Sequence, residues 1–227
     1  MITPSYSLAV FDLDGTLLDT SRGITAAICH TLRELGLPPL SKACLNRFIG
    51  PPIEQGFSEF CGLEGEQLLR AATVFRRRYS EQFLLQADPY GGIFEALDHL
   101  RQAGVKIAVA TYKRETYARP LLAHFGFDRY TDTIYGSDPE GKLRKHDILT
   151  RCLSACHITD ATYAVMVGDT LQDARAAATA GTDFIGACYG FGLHTEKERN
   201  VCRARAFVHT PSELVSVILP SQPITRG

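Results

Sequence analysis

The sequence predicts an α/β protein whose core is a doubly wound, parallel β-sheet with a small α-helical segment inserted into it. Short apolar runs of strand length alternate with helical patterns of about ten or more residues, as in parallel strands joined by helices. Near the amino terminus, one long stretch contains helical patterns only. The chain has 227 residues, 45% of them hydrophobic and 22% charged, which suits one large domain with a modest insert.

The first predicted strand, Leu8–Phe11, is followed at once by two acidic residues. It is apolar and too short for a buried helix, so we expect it to lie in the sheet with both faces covered. Because side chains alternate along a strand, Asp12 and Asp14 would project to the same side, and Gly15 then allows a sharp turn. Two adjacent carboxylates repel each other unless a cation or a shared proton relieves them. Mg²⁺ bound together with substrate phosphate fits this pattern and suggests phosphoryl chemistry.

A simpler interpretation of the same residues is purely structural. Asp12 could cap the following helix while Asp14 and Gly15 form a turn. Capping needs only one carboxylate, however, and it does not explain why an apolar strand leads straight into both. We therefore treat the pair as a candidate site.

The segment that follows is predicted to be a helical lid. Thr20 or Ser21 can cap its first helix, and a Gly-Leu-Pro-Pro sequence stops that helix after Leu35. The helical patterns cover residues 21–35, 42–48, 53–61 and 64–85. No strand pattern occurs between Thr20 and Pro89, and roughly 70 residues are too many for a simple crossover. We expect a sheet domain formed by residues 1–18 and 89–220, a helical domain formed by residues 19–88, and a disordered tail at 221–227.

From residue 89 onward, strands and helices alternate. Strand patterns cover residues 105–110, 133–136, 163–167, 184–188 and 206–208. Helical patterns cover residues 93–103, 114–125, 171–180 and 211–219, and a loop that contains Lys142 and Lys145 leads into a further helix that runs through Cys156. In such sheets, ligands bind at the carboxyl ends of the strands. We therefore expect one cluster of polar side chains there, made by Asp12, Asp14, Thr111, Lys145, Asp169 and Asp173.

Composition excludes several classes of function. The net charge of −1 provides no general attraction for nucleic acid or a membrane surface. No run of 18 apolar residues occurs and residues 1–6 do not form a signal sequence, so we expect a cytoplasmic protein without a membrane partner, as a monomer or homodimer. The seven cysteines are scattered without a CxxC pair and are expected to be reduced thiols.

Four segments resemble the motifs of the haloacid dehalogenase superfamily, in its phosphatase branch. They are DLDGTLLDT at 12–20, VATYK at 109–113, Lys145 before a helix, and GDTLQD at 168–173. The resemblance runs through nearly the whole chain and implies a Rossmann-like core with a helical cap of the family's first type. It also implies a phosphatase that uses Mg²⁺ and acts on a small phosphorylated molecule.

The resemblance also implies roles for individual residues. Asp12 would be the nucleophile that forms an aspartyl phosphate, and Asp14 the general acid and base. Mg²⁺ would be held by Asp12, the backbone carbonyl of Asp14 and Asp169, whereas Asp173 would orient Lys145 or a metal-bound water. The residues expected to bind phosphate are Thr111, the amide of Tyr112, and Lys145.

Some of these assignments have alternatives. Thr111 could instead cap a helix, and Lys145 could be an exposed loop residue, with Lys142 as a competitor for its role. In the cap, residues 47–52 resemble the family's substrate loop, so Arg47 and Gly50 are expected to contact substrate, although Arg47 could equally lie on the surface.

The sequence leaves the substrate open. The segment YGFG at 189–192 follows a strand and resembles one found in phosphoglycolate phosphatase-like members, although it could be a flexible loop. Phosphoglycolate is therefore the first expectation and a nucleoside 5′-monophosphate the second. A phosphosugar mutase, a receiver-like signalling module and a metal-binding interaction protein without turnover are further alternatives.

Overall fold

The computed structural model describes residues 6–139 and 141–219 and contains a six-stranded parallel sheet. Its strands are β1 (Leu8–Phe11), β4 (Lys106–Arg114), β5 (Ile134–Ser137), β6 (Ala164–Gly168), β7 (Asp183–Ala187) and β8 (Ala206–Val208). The order across the sheet is β5-β4-β1-β6-β7-β8, so β1 lies in the interior between β4 and β6. The predicted doubly wound α/β fold is confirmed.

Ten α-helices are described. They are α1 (Ser21–Glu34), α2 (Lys42–Asn46), α3 (Ile53–Cys61), α4 (Gly65–Arg78), α5 (Ile93–Gln102), α6 (Glu115–His124), α7 (Lys145–Ala155), α8 (Leu171–Ala180), α9 (Glu196–Asn200) and α10 (Glu213–Ile218). None of the helices in the described part of the chain is both long and apolar enough to cross a bilayer. Nine of these helices were predicted, most of them with boundaries within a few residues, whereas α9 was not predicted.

Strand β1 is buried on both faces because its side chains alternate between two hydrophobic clusters. Ala9 and Phe11 belong to the cluster that contains residues of α5, α6 and α10. Leu8 and Val10 belong to the cluster that contains residues of α7 and α8. Every residue of β1 is apolar because helices cover both faces of the sheet. This packing on both faces holds the end of β1 in a fixed position.

Helices α1 to α4 have a hydrophobic cluster of their own. Its fully buried members include Ile28 and Phe57, and full burial of one such side chain contributes about 1.5–3 kcal/mol. Two short strands, β2 (Leu18–Asp19) and β3 (Asp88–Pro89), pair antiparallel where the helical segment leaves and rejoins the core. The proposed boundaries at residues 19 and 88 fall on this ribbon, and the division into two domains stays a prediction.

The structure corrects three details. The stretch from Thr20 to Pro89, predicted to lack strands, contains β3, whose two residues are too few for a sequence pattern. The helix predicted over 64–85 ends as α4 at Arg78 and continues as a π-helical turn, Tyr79–Phe83. Strand β4 extends to Arg114, because after a shift in register it pairs again with β5. The predicted disordered tail lies outside the described residues.

Candidate active site

The carboxyl end of β1 places Asp12 and Asp14 in the interior. Asp12 donates its backbone N–H to Val167 O at 2.9 Å, and the two aspartates are only 4% and 6% exposed. Gly15 follows with a left-handed φ of 84°, which favours glycine. A β-carbon at Gly15 would lie 2.2 Å from Asp169 Oδ2, so glycine is required both for the turn and for the approach of that carboxylate.

Lys145, the first residue of α7, reaches the nucleophile candidate directly. Its Nζ lies 2.6 Å from Asp12 Oδ1 and 2.9 Å from Asp173 Oδ1, and the lysine is 4% exposed. Burial alone would lower the pKa of Lys145, but attraction to the two carboxylates outweighs it and raises the pKa, so the ammonium stays charged. Lys142 is exposed, so the structure brings Lys145 rather than Lys142 to Asp12.

Asp173 is held by the start of its own helix. Its Oδ2 accepts hydrogen bonds from the backbone N–H of Thr170 at 3.1 Å and from the Thr170 hydroxyl at 2.6 Å. Its own backbone N–H donates to Thr170 Oγ1 at 3.4 Å, which completes a capping box. The other carboxylate oxygen of Asp173 contacts Lys145. This arrangement suits the predicted role of Asp173 in orienting Lys145, and that role stays a prediction.

Asp169 is fixed by the segment at 189–192. Its Oδ2 accepts the backbone N–H groups of Phe191 at 2.6 Å and Gly192 at 3.3 Å. Its Oδ1 is buried and has no hydrogen-bond partner among the described residues. Such an oxygen is costly unless another group satisfies it, which makes Asp169 a strong candidate for binding a cation.

Three buried carboxylates meet at this point. Oxygen atoms of Asp12, Asp169 and Asp173 all lie within 4.8 Å of one another. Burial, opposed by Lys145, raises the pKa of Asp12 to about 6, and burial with the neighbouring carboxylates raises the pKa of Asp169 well above its usual value. The one lysine in contact does not balance three carboxylates, so the residues fit a divalent cation bound through oxygen.

Strand β4 supplies the predicted phosphate-binding residues. Thr111 is 1% exposed, and its hydroxyl oxygen accepts the backbone N–H of Lys113 at 3.1 Å rather than capping a helix. The Tyr112 hydroxyl accepts the backbone N–H of Lys145 at 3.0 Å, and the Lys145 Nζ lies 5.5 Å from the centre of the Tyr112 ring. The Tyr112 side chain thus helps to position Lys145, which sequence reasoning did not anticipate.

Asp14 has two partners that sequence reasoning also missed. The Thr20 hydroxyl donates to Asp14 Oδ1 at 2.6 Å, and the Lys113 Nζ lies 3.0 Å from the same oxygen. Burial opposes the charge on Lys113, but attraction to Asp14 outweighs it and raises the lysine pKa. The only signal for Lys113 was its place two residues after Thr111.

The two residues predicted to contact substrate from the cap differ in location. Arg47 is paired with Glu59 at 2.5 Å and lies over the Phe60 ring at 4.5 Å, with 63% of its side chain exposed. Gly50, in contrast, lies opposite the start of α8, where a β-carbon would be 3.6 Å from Thr170 Cγ2. Arg47 therefore lies on the surface, which was one of the two positions expected for it. Gly50 lines the cavity of the candidate site.

A cavity of about 520 Å³ lies between the helical segment and the sheet domain, with Asp14 in its wall. Much of the rest of its lining is apolar or aromatic, and the aromatic members are Phe48, Phe75, Tyr79, Tyr112 and Tyr117. Three basic side chains line it, each with an acceptor already: Lys113 with Asp14, Arg76 with Glu54, and Arg114 with Pro139 O. The volume is within the range usual for small-molecule sites.

The fold and the site together are typical of α/β hydrolytic enzymes. The chain combines a doubly wound sheet with a helical insert and has a buried carboxylate–lysine cluster at the strand ends. Residues 9–187 match the haloacid dehalogenase-like hydrolase family, and the chain belongs to this family. This confirms the resemblance on which the site residues were predicted.

The relatives narrow the class further. A 5′-nucleotidase from Pseudomonas aeruginosa is 36% identical over 191 residues, which cover 84% of this chain and 86% of that protein. A phosphoglycolate phosphatase from Agrobacterium fabrum is 33% identical and covers 83% of each chain. The solved structure of a predicted phosphatase from Clostridium acetobutylicum has a TM-score of 0.85 at 31% identity, covering 92% of this chain and 96% of that one. The chain is a hydrolase of the phosphatase branch, not a receiver-like module.

Proposed function

We propose that this chain hydrolyses phosphate monoesters of small metabolites through an aspartyl phosphate at Asp12, with Mg²⁺ as cofactor. The observation that carries the proposal is the buried contact of Lys145 with Asp12 at 2.6 Å, beside two further carboxylates. Lys145 offsets the negative charge of Asp12, so that a phosphate dianion can approach a carboxylate. Thr111 and the amide of Tyr112, in the carboxyl half of the neighbouring strand β4, would bind phosphoryl oxygens.

In the first step, a carboxylate oxygen of Asp12 attacks phosphorus and the bond from phosphorus to the ester oxygen breaks. Asp14 donates a proton to that leaving oxygen, so that an alcohol departs. In the second step, water attacks phosphorus while Asp14 accepts its proton, and the bond to Asp12 breaks to release inorganic phosphate. Asp14 suits both steps because it lines the cavity that would hold the alcohol.

The donor set supports a hard divalent cation. Asp12, Asp169 and the backbone carbonyl of Asp14 would hold Mg²⁺, and the support for this is Asp169 Oδ1, a buried oxygen that accepts no hydrogen bond from the described residues. The ion would supply positive charge beside the phosphoryl oxygens.

The cavity favours a nucleoside 5′-monophosphate over phosphoglycolate as the substrate. Phosphoglycolate is small and carries a second anionic group, which would need a basic partner of its own. The basic side chains of the described lining already hold acceptors, whereas its aromatic side chains suit a planar base. The proposal therefore reverses the order that the sequence suggested.

The test is a comparison of phosphate release from p-nitrophenyl phosphate, a set of nucleoside 5′-monophosphates and phosphoglycolate, with Mg²⁺ and with a chelator. We expect Mg²⁺-dependent release that is lost in Asp12→Asn and that is fastest, among the metabolites, with a nucleotide. Retention of the wild-type rate in Asp12→Asn would overturn the mechanism. A preference for phosphoglycolate would overturn the substrate class only, and transfer of phosphate between sugar positions would favour the mutase.

A further inference from the structure

Lys113 forms a buried link between the cap and the acid–base candidate. Its Nζ lies 3.0 Å from Asp14 Oδ1, and the two side chains are only 6% and 9% exposed. The same Nζ donates to the Tyr79 hydroxyl at 2.9 Å and lies 4.9 Å from the centre of the Tyr79 ring. One ammonium therefore contacts both a residue of the sheet domain and a residue of the helical segment.

Tyr79 is held firmly by its surroundings. It is 2% exposed, stacks on Phe75 with ring centres 5.5 Å apart, and meets the edge of Tyr117 at 5.9 Å. Tyr79 is also the first residue of the π-helical turn that follows α4. π-Helical turns are rare and occur often at functional sites, because the extra residue per turn changes the direction of a side chain.

The hydrogen bonds to Asp14 select one of its two oxygens. Thr20, at the start of α1, and Lys113 both donate to Oδ1. Because Oδ1 accepts from both sides, Oδ2 is the oxygen that can carry the proton transferred to a leaving group. The positions of both donors depend on the helical segment. Thr20 is the residue that precedes α1, and Lys113 is hydrogen-bonded to Tyr79 of that segment.

We propose that Lys113 and Tyr79 are positioning residues that orient Asp14 for proton transfer when the cap is seated on the sheet domain. The proposal rests on the function proposed above and extends it, since it explains how the position of the cap controls the chemical step. When the cap lifts, the Tyr79 hydroxyl leaves Lys113, and the lysine is free to turn away from Asp14. Proton transfer is then tied to closure over a bound substrate.

Two other roles for Lys113 make different predictions. If it binds the substrate phosphate, its loss weakens all phosphate esters alike. If Lys113 only neutralises a buried carboxylate, its loss lowers the stability of the protein. The rates for all esters then fall alike, because a smaller fraction of the protein is folded. A positioning role affects chiefly those esters whose leaving group must be protonated, because an alkoxide is a far poorer leaving group than a nitrophenolate.

The experiment compares single-turnover rates for p-nitrophenyl phosphate and for a nucleoside 5′-monophosphate, at saturating Mg²⁺ and substrate. The variants are Lys113→Met and Tyr79→Phe, which removes only the hydroxyl and retains the ring. The matched controls are Lys142→Met and Tyr163→Phe, both at exposed positions. Melting temperatures and circular dichroism establish that each variant is folded, and Tyr79→Phe decides the matter if Lys113→Met does not fold.

We expect Lys113→Met and Tyr79→Phe to slow the nucleotide at least about tenfold more than the aryl ester, with both controls unchanged. An equal loss for both esters, or no loss for either, would overturn the positioning role. Failure of the underlying function is distinguishable, because wild type would then release no phosphate, or Asp12→Asn would remain active, whatever the Lys113 variants do.

Discussion

At the scale of single residues, the site is a small buried volume with an excess of negative charge. Asp12, Asp169 and Asp173 meet there with Lys145 as their one basic contact among the described residues. Burial and repulsion by neighbouring carboxylates raise the pKa of Asp12 and of Asp169, so ionising these two groups is expected to cost the metal-free protein free energy. This cost provides a way to measure the site without measuring turnover.

The first prediction concerns Asp12→Asn in the metal-free protein. The folded-state pKa of Asp12 is raised from 3.8 to about 6, so ionising this group costs the folded state free energy as the pH rises between these values. Asparagine cannot ionise, so the variant does not lose this stability as the pH rises. We therefore expect its free energy of unfolding, relative to that of wild type, to increase over that range by about 2–3 kcal/mol at most. Denaturant unfolding in the presence of a chelator at pH 4, 5, 6 and 7 measures it.

The exposed Asp128→Asn serves as the control for this measurement and is expected to follow wild type at every pH. A constant difference between Asp12→Asn and wild type from pH 4 to 7 would show that Asp12 is not a destabilised carboxyl.

The second prediction compares two nearby lysines. Lys145→Met removes the ammonium that contacts Asp12 and Asp173, and we expect phosphate release to fall by about 100-fold or more. Lys142→Met changes an exposed side chain and should leave the rate within about twofold. Steady-state assays of both proteins check this, and a rate loss in Lys142→Met that matched Lys145→Met would contradict the assignment.

Sequence reasoning located the residues whose position follows from strand ends and spacing. Asp12, Asp14 and Asp169 directly end or follow apolar strands, so a parallel sheet must bring them together. Lys113 and Tyr79 were missed because they are 34 residues apart in sequence and meet only through the packing of the cap. Arg47 resembled a substrate ligand, but its local contacts with Glu59 and Phe60 cannot be inferred from the chain.

At the scale of elements, the segment at 189–192 is a structural support of the site rather than a flexible loop. Its backbone donors hold Asp169, and the Tyr189 hydroxyl donates to Thr16 O at 3.0 Å. Gly190 is required by close packing, since a β-carbon there would lie 2.3 Å from Gly15 O and 2.4 Å from Asp169 Cβ. The absence of a side chain at Gly190 therefore lets the backbone of this segment pack against Gly15 and Asp169.

The third prediction follows from this packing. Gly190→Ala should lower the melting temperature by several degrees and phosphate release by more than about tenfold, because backbone and Asp169 must both move. Gly91→Ala is the control, since a β-carbon at Gly91 meets no atom within 4 Å and its φ is not left-handed. Thermal unfolding and initial rates of the two variants decide the matter. Equal behaviour of the two would show that residue 190 can relax without disturbing the site.

Element boundaries were predicted less well where tertiary contacts determine them. The continuation of β4 to Arg114 depends on renewed pairing with β5, at a point where Gly136 lets the two backbones approach. The π-helical turn after α4 interrupts a sequence pattern that predicts one long helix, and it begins at the buried Tyr79. Neither feature leaves a local pattern in the sequence.

At the scale of the whole molecule, the helical segment and the rest of the chain share contacts beyond the cavity. Tyr117 of α6 and Phe191 of the 189–192 segment pack against the hydrophobic cluster of the cap. Phe191 also donates its backbone N–H to Asp169, so a single residue contacts both the cap and the candidate metal ligand. Phe191 therefore joins Lys113 as a residue through which the helical segment contacts the candidate site.

The central claim is that Asp12 becomes phosphorylated during turnover, and trapping that species tests it most directly. The enzyme is mixed with a nucleoside 5′-monophosphate and Mg²⁺, quenched in acid within one turnover, and digested for mass spectrometry. We predict that the peptide containing residue 12 carries one phosphoryl group on Asp12, and that Asp12→Asn yields neither this species nor free phosphate. Free phosphate formed at the wild-type rate by Asp12→Asn would contradict the account.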